Sequence, residues 1–178
     1  IAGKGTYPRQ LAESARHQGV RHLALIAFKG ETERSLTRLA DETHWIRLGQ
    51  LAHMLEVLKD LQIPAAVMAG RITPTSLFRV RPDAAMAALL RRLKQRNADT
   101  IFGAVADELG RLGIALLPAY RFMETHMPAP GLLADRPPTA REQADIELGL
   151  RVAKLTSGLE VGQSVVIKEG TILAVEAF

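Results

Sequence analysis

The sequence predicts an α/β fold: a Rossmann-like parallel sheet in an N-terminal domain, followed by the first helix and hairpin of a second α/β domain. Three observations lead there. Short continuous apolar runs at Leu23 to Phe28, Pro64 to Gly70 and Ile114 to Leu117 have the length and composition of strands buried on both faces. Helical patterns alternate with these runs, most clearly where Leu51, Met54, Leu55, Leu58 and Leu61 form one apolar stripe, and such alternation argues for parallel strands with right-handed crossovers. Pro128, Pro130, Gly131, Pro137 and Pro138 then crowd a stretch that neither a helix nor a central strand tolerates. This predicts a first domain over 1–128, a linker over 129–138 and a second domain over 139–178.

In chain order, Ile1-Ala2-Gly3 reads as the end of a strand running into a glycine turn, with a helix over Arg9 to Gln18 closed by Gly19. The strand over Leu23 to Phe28 ends at Lys29-Gly30. A weak helical stretch, Glu33 to Ala40, and a short edge strand, Thr43 to Leu48, precede the striped helix over Gln50 to Leu61. The strand at Pro64 follows. Asp83 is placed to cap a helix over Ala84 to Arg96, and Asp99 to cap one running from Ile101 to Leu112 with Gly113 beyond it. No element is predicted for Tyr120 to Met127. Past the linker, Thr139 and Glu142 have capping-box spacing at the head of a helix over Ala140 to Leu155. Val161 to Ile167 and Thr171 to Ala177 read as a hairpin around a three-residue turn, Lys168-Glu169-Gly170. The apolar start and the hairpin end, with no closing helix, read as the cut edges of a longer protein.

Composition narrows the function. With 47% hydrophobic residues in 178, the chain can bury a substantial core, and its 4% aromatic content means that core is aliphatic. Cysteine is absent, so disulfides and thiolate chemistry are excluded. No apolar stretch approaches the roughly 20 residues of a membrane-spanning helix, which predicts a soluble protein, at most peripheral to a membrane. A net charge of +4 favours anionic partners in general and suits solubility equally well.

Among local motifs, Gly3-Lys4-Gly5-Thr6-Tyr7-Pro8 links strand to helix, where free N–H groups and the helix dipole favour a phosphate. Pro8 stands where a dinucleotide fingerprint has its third glycine, so that motif is incomplete and a plain tight turn competes with a ligand loop. Ala69-Gly70-Arg71 sets a guanidinium just past a strand, on the edge where parallel sheets bind ligands and where it could clamp a phosphate. Asn97-Ala98-Asp99-Thr100 is either a helix cap at Asp99 or a polar turn facing a cleft. The basic run Arg91 to Arg96 lacks interleaved aromatics, so a solvated helix face is expected rather than a nucleic-acid surface. The five histidines, His17, His22, His44, His53 and His126, show no metal-ligand spacing, and no nucleophile motif occurs.

Taken in order, Ile-Ala-Gly-x-Gly-x-x-Pro at 1–8, Ala69-Gly70-Arg71-Ile72, Asn97 to Thr100, Ala144-Asp145-Ile146, Gly149, Ala153, Val161 to Gly170 and Leu173 to Ala177 resemble the LpxI family of UDP-2,3-diacylglucosamine pyrophosphatases along the whole chain. The resemblance implies a bacterial, magnesium-dependent hydrolase of lipid A biosynthesis that releases UMP and 2,3-diacylglucosamine 1-phosphate. It further implies a cytoplasmic enzyme, with peripheral contact with the inner membrane and a homodimer as further expectations, and no nucleic-acid partner. Gly3, Lys4, Gly5, Thr6, Tyr7, Pro8, Gly70, Arg71, Asn97, Asp99, Thr100 and Glu176 would then help hold the UDP-linked diacylated glucosamine. The family's catalytic aspartate belongs to a motif downstream of Phe178, so these residues are expected to bind substrate without completing the chemistry. A non-catalytic nucleotide-binding module is the alternative.

Overall fold

A computed structural model describes residues 1–73, 80–95 and 97–177, leaving aside the side chains of Ala98 and Asp99. Two compact units divide the chain, Ile1–Met127 and Pro128–Phe178.

The first unit is a mixed α/β arrangement built on short parallel strands. In order come α1 (Tyr7–His17), β1 (Ala24–Phe28), a 3-10 turn (Arg34–Leu39), β2 (Glu42–Ile46), α2 (Leu51–Asp60), β3 (Ala65–Val67), α3 (Ala84–Arg92), α4 (Ala98–Arg111), β4 (Ala115–Leu117) and a second 3-10 turn (Glu124–His126). β1 pairs with β2 and β3 with β4, both parallel, from Ala24 opposite Glu42 and from Ala65 opposite Ala115. Ala2 joins the two pairs, bridging Ala27 on one side and Ala69 on the other, again in parallel. Across the layer the order is therefore β2, β1, the segment at Ala2, β3 and β4.

Side chains alternate across a strand, and β1 shows it. Ile26 packs with Ile46, Met54, Leu58 and Leu109, beneath α2, α3 and α4, whereas Leu25 and Ala27 pack with Ala12 and Leu36 from the opposite side. The α2 stripe buries Leu51, Met54 and Leu58 as its spacing requires. Asp83 caps α3 by accepting from the Met86 N–H at 2.8 Å.

Several expectations need correction. α1 begins at Tyr7, two residues early, because Pro8 fits the first turn of a helix, where no intrahelical N–H bond is missed. The stretch from Glu33 to Ala40 winds as a 3-10 turn. α3 stops at Arg92 rather than Arg96, with Leu93 extended, so only Arg91 and Arg92 of the basic run are helical, and Arg96 lies outside the described residues. Asp99 does not cap α4: Asn97 does, in a capping box with Thr100.

The second unit is an irregular segment, then α5 (Ala140–Gly158), β5 (Val165–Lys168) and β6 (Thr171–Val175). Its capping box forms as the spacing predicts, between Thr139 and Glu142. α5 runs three residues past Leu155. The hairpin turn contains two residues, not three: Glu169 and Gly170 both have positive φ, at 53° and 75°, as the tight turn matching strand twist demands. Asp145 on α5 holds this turn, its carboxylate accepting from the N–H groups of Glu169 at 2.8 Å and Gly170 at 2.7 Å. Ile146, Leu150 and Leu155 of the same helix remain exposed.

Two outcomes are expected. Leu58 is only 1% exposed at the centre of the larger core, so Leu58→Ala should lower unfolding stability by about 2–5 kcal/mol, read as a fall in the urea midpoint. Glu142 accepts two 2.7 Å bonds from Arg136 and further bonds from Thr139, and these lower its pKa from 4.5 to about 2. A carboxylate lowered in the folded state adds stability that is complete above its ordinary value and disappears as pH falls through the folded one. Carboxyl NMR should therefore place the Glu142 midpoint near 2, and Arg136→Ala should move it upward.

Candidate functional site

The carboxyl ends of the central segment at Ala2 and of β3 carry two loops that face each other. Residues Gly3 and Lys4 form one and Gly70 and Arg71 the other, joined by an antiparallel bridge in which the Lys4 N–H donates to the Arg71 carbonyl at 2.8 Å and the Arg71 N–H to the Lys4 carbonyl at 3.1 Å. The two glycines allow this approach. A Cβ on Gly3 would sit 2.4 Å from the Arg71 carbonyl oxygen, and one on Gly70, where φ is +85°, 2.6 Å from that of Lys4. Sequence-predicted Gly3, Lys4, Gly70 and Arg71 thus come together. Gly5 takes φ +101°, turning the chain into α1.

Side chains from three loops converge beside the bridge. Lys4 Nζ donates to Thr73 Oγ1 at 2.8 Å and lies 3.7 Å from Glu31 Oε2. The Thr73 hydroxyl and N–H both donate to the same Glu31 oxygen, at 2.9 and 3.0 Å. Glu31, with its side chain 4% exposed, is a buried carboxylate held by an ammonium, a hydroxyl and a peptide, as a charge away from water requires. Its neighbour Thr32 accepts from the Phe28 N–H and donates to the Ala2 carbonyl, pinning the loop after β1 to the central segment. An anion arriving at Lys4 therefore competes with Glu31, while Arg71 presents an exposed cation beside it.

Glu31, Thr32 and Thr73 went unnoticed in the sequence. The available signal was position: Glu31-Thr32 directly follows Lys29-Gly30 at the end of an apolar strand, the edge where parallel sheets gather ligands.

The remaining predicted residues are placed as follows. Thr6 is exposed at the N-terminal boundary of α1 and makes no side-chain cap. Tyr7 and Pro8 belong to its first turn, and the Tyr7 hydroxyl donates to the Ala119 carbonyl at 2.7 Å. Asn97 and Thr100 satisfy each other at the head of α4, the Thr100 hydroxyl also reaching the Gln95 carbonyl. The side chain of Asp99 lies outside the described residues. Glu176 belongs to the second unit, where its carboxylate accepts from the Gln163 and Ser164 N–H groups at 2.9 and 3.0 Å. Those bonds, Gln163 first, lower its pKa. Gly162 makes room for that strand end, since a Cβ there would lie 2.1 Å from the Glu176 carbonyl oxygen. Among the described residues, no three His, Cys, Asp or Glu side chains converge as a metal site, and no helix is long and apolar enough to cross a membrane.

Truncating Glu31 would strand Lys4 and Thr73 together. Glu31→Ala should cost about 1–3 kcal/mol, the penalty for leaving polar partners unsatisfied, while Glu31→Gln should recover part of it by keeping the acceptor. Urea unfolding of both variants measures the difference.

Comparison with known proteins agrees with this layout. The family model of the LpxI N-terminal domain matches residues 1–126, and that of the LpxI C-terminal domain matches residues 129–178. The chain is 27% identical over 180 residues to the UDP-2,3-diacylglucosamine pyrophosphatase LpxI of Caulobacter vibrioides, an alignment spanning 99% of this chain and 63% of the relative. With family models matching in order along nearly its whole length, the chain belongs to the LpxI family.

Proposed function

We propose that this chain provides the substrate-binding framework of a UDP-2,3-diacylglucosamine pyrophosphatase acting in lipid A synthesis. The observation that carries the reading is the ordered match of both LpxI domain models. Because the chain spans 63% of the relative's length, the activity is proposed for the whole protein that contains it. The reaction adds water to one phosphorus of the pyrophosphate and breaks the bridging P–O bond. UMP and the diacylated sugar 1-phosphate leave, with release of a proton.

The sheet supports the nucleotide half of this proposal. Its order, with the first extended segment between β1 and β3, corresponds to the doubly wound Rossmann-like pattern in which the chain reverses direction next to the first strand. Ligands in such sheets lie at that reversal, outside the carboxyl ends of the strands. Here the reversal falls between Gly3 and Gly70. In this reading the start of α1 and the Arg71 guanidinium face the phosphates, with Lys4 reaching them by exchanging Glu31 for substrate. Gly5, Thr6, Tyr7 and Pro8 shape the turn that presents α1, and Asn97, Asp99 and Thr100 head α4, which packs on the opposite face of the sheet from α1.

Magnesium is part of the proposed reaction of the whole protein. The described residues do not assemble a ligand set for it, so no step is derived through the metal. Glu176 is engaged at the base of its hairpin, which favours a structural contribution over direct contact with substrate. Cytoplasmic location with peripheral contact with the inner membrane belongs to the same proposal, since the substrate carries acyl chains.

The test uses the longer protein and this chain side by side. The longer protein should release UMP from UDP-2,3-diacylglucosamine in the presence of magnesium, and Arg71→Ala should reduce kcat/KM about tenfold or more, the scale of losing a charge-assisted contact to phosphate. The 178-residue chain should bind UMP without turnover. Absence of UMP release by the longer protein would refute the assignment.

A further inference from the structure

A second feature of the first unit adjoins the Gly3 and Gly70 loops. A cavity of about 450 Å³ opens between the carboxyl ends of the strands and helices α2, α3 and α4. Phe28, Met54, Met68, Ile72, Met86 and Phe102 form much of its wall, and Gly3 and Gly70 line it too. Among the described residues lining it, the only polar side chain is that of Gln50, whose amide oxygen is already engaged by the Arg47 N–H at 3.0 Å.

The volume lies within the range of small-molecule sites, which begins at about 300 Å³, and is far larger than the packing voids normal in a protein interior. The chemistry of the wall selects the occupant. A nucleobase needs donors and acceptors around its edge, and this wall offers almost none from side chains. Ordered water needs two or more polar partners and is disfavoured for the same reason. A flexible hydrocarbon suits it, since three of the wall residues are methionines, whose thioethers adapt to chains of different shape. The rim completes the match: Lys4 and Arg71 adjoin Gly3 and Gly70, so an apolar hole and two cations share one end of the sheet. An amphiphile bearing phosphate at one end and an aliphatic chain at the other fits both parts.

We propose that this cavity receives an acyl chain of the substrate, with the attached phosphosugar held at the Lys4 and Arg71 rim. The proposal rests on the acylated substrate of the preceding subsection and adds where one chain goes. It makes Met86 and Phe102 specificity-determining residues for chain length.

Binding of glucosamine 1-phosphate and its N-octanoyl and N-dodecanoyl derivatives to the 178-residue chain, measured by calorimetry below micelle-forming concentrations, tests it. Affinity should rise with length, up to about fourfold for each methylene that becomes fully buried. Met86→Trp, which fills the cavity, should flatten that rise while leaving the unacylated compound unchanged. Phe102 is 49% exposed, so Phe102→Glu should fold normally and, by setting a carboxylate beside the hydrocarbon path, should also weaken the dodecanoyl compound selectively. Equal affinities across the series, no binding of the dodecanoyl compound, or a rise unaltered in both variants would overturn the proposal. Failure of the pyrophosphatase reading itself appears separately, as absence of UMP release by the longer protein.

Discussion

Residues 1–4 are hydrogen-bonded on both flanks, and the first unit is organised around that segment. The Ala2 N–H donates to the Ile26 carbonyl at 2.9 Å, the Gly3 N–H to Ala69 at 2.8 Å, and the Ala69 N–H to Ile1 at 3.0 Å. Without it, β1–β2 and β3–β4 would be two separate ribbons of two strands, a size that is marginal in water. With it, one apolar layer forms on which α2, α3 and α4 bury their stripes from one side and α1 from the other. The same peptides that join the pairs set Gly3 against Gly70, so the architecture and the candidate site share one set of bonds.

The parts of the fold visible in the sequence are those fixed by local chemistry. The α2 stripe, the Asp83 cap and the Thr139–Glu142 box each depend on residues within a turn or two of one another, and each forms where spacing places it. Elements settled by distant partners were less legible. The end of α3 at Arg92 has no glycine or proline to announce it, and Asn97 outcompetes Asp99 as a cap because its backbone, at ψ 175°, is already extended. The two-residue hairpin turn depends on Glu169 adopting positive φ, which an acidic residue does not advertise, and on Asp145, distant in sequence, rewarding it. The site divides in the same way. Its glycines stand out in the chain, whereas Glu31 and Thr73, 42 residues apart, become partners only once the loops close.

Three carboxylates share a task. Glu31, Asp145 and Glu176 each accept from two donors on another segment: Glu31 and Asp145 tie together stretches outside the strand ladders, and Glu176 secures the end of the β5–β6 ladder, where its own N–H donates to the Ser164 carbonyl at 2.9 Å. A carboxylate is well suited because it has lone pairs for several donors and none of its bonds requires a donor of its own. The cost of using acids as ties is that the groups cease to be free for other chemistry. That distinction separates Glu176 from the exposed guanidinium of Arg71, which remains available at the edge of the sheet.

Gly3 and Gly70 meet through peptide atoms, with the Pro8 ring also close to Gly70, so the floor between the two loops is mostly main chain. Peptide dipoles are the same whatever sequence carries them, and a substitution that adds even a methyl group there moves the loops apart rather than altering the floor's polarity. Diversification at this end of the sheet is accordingly confined to its walls and rim. Members of the family could exchange one set of wall residues for another while the backbone cradle stays fixed, so that preference for a ligand drifts independently of the geometry that receives it.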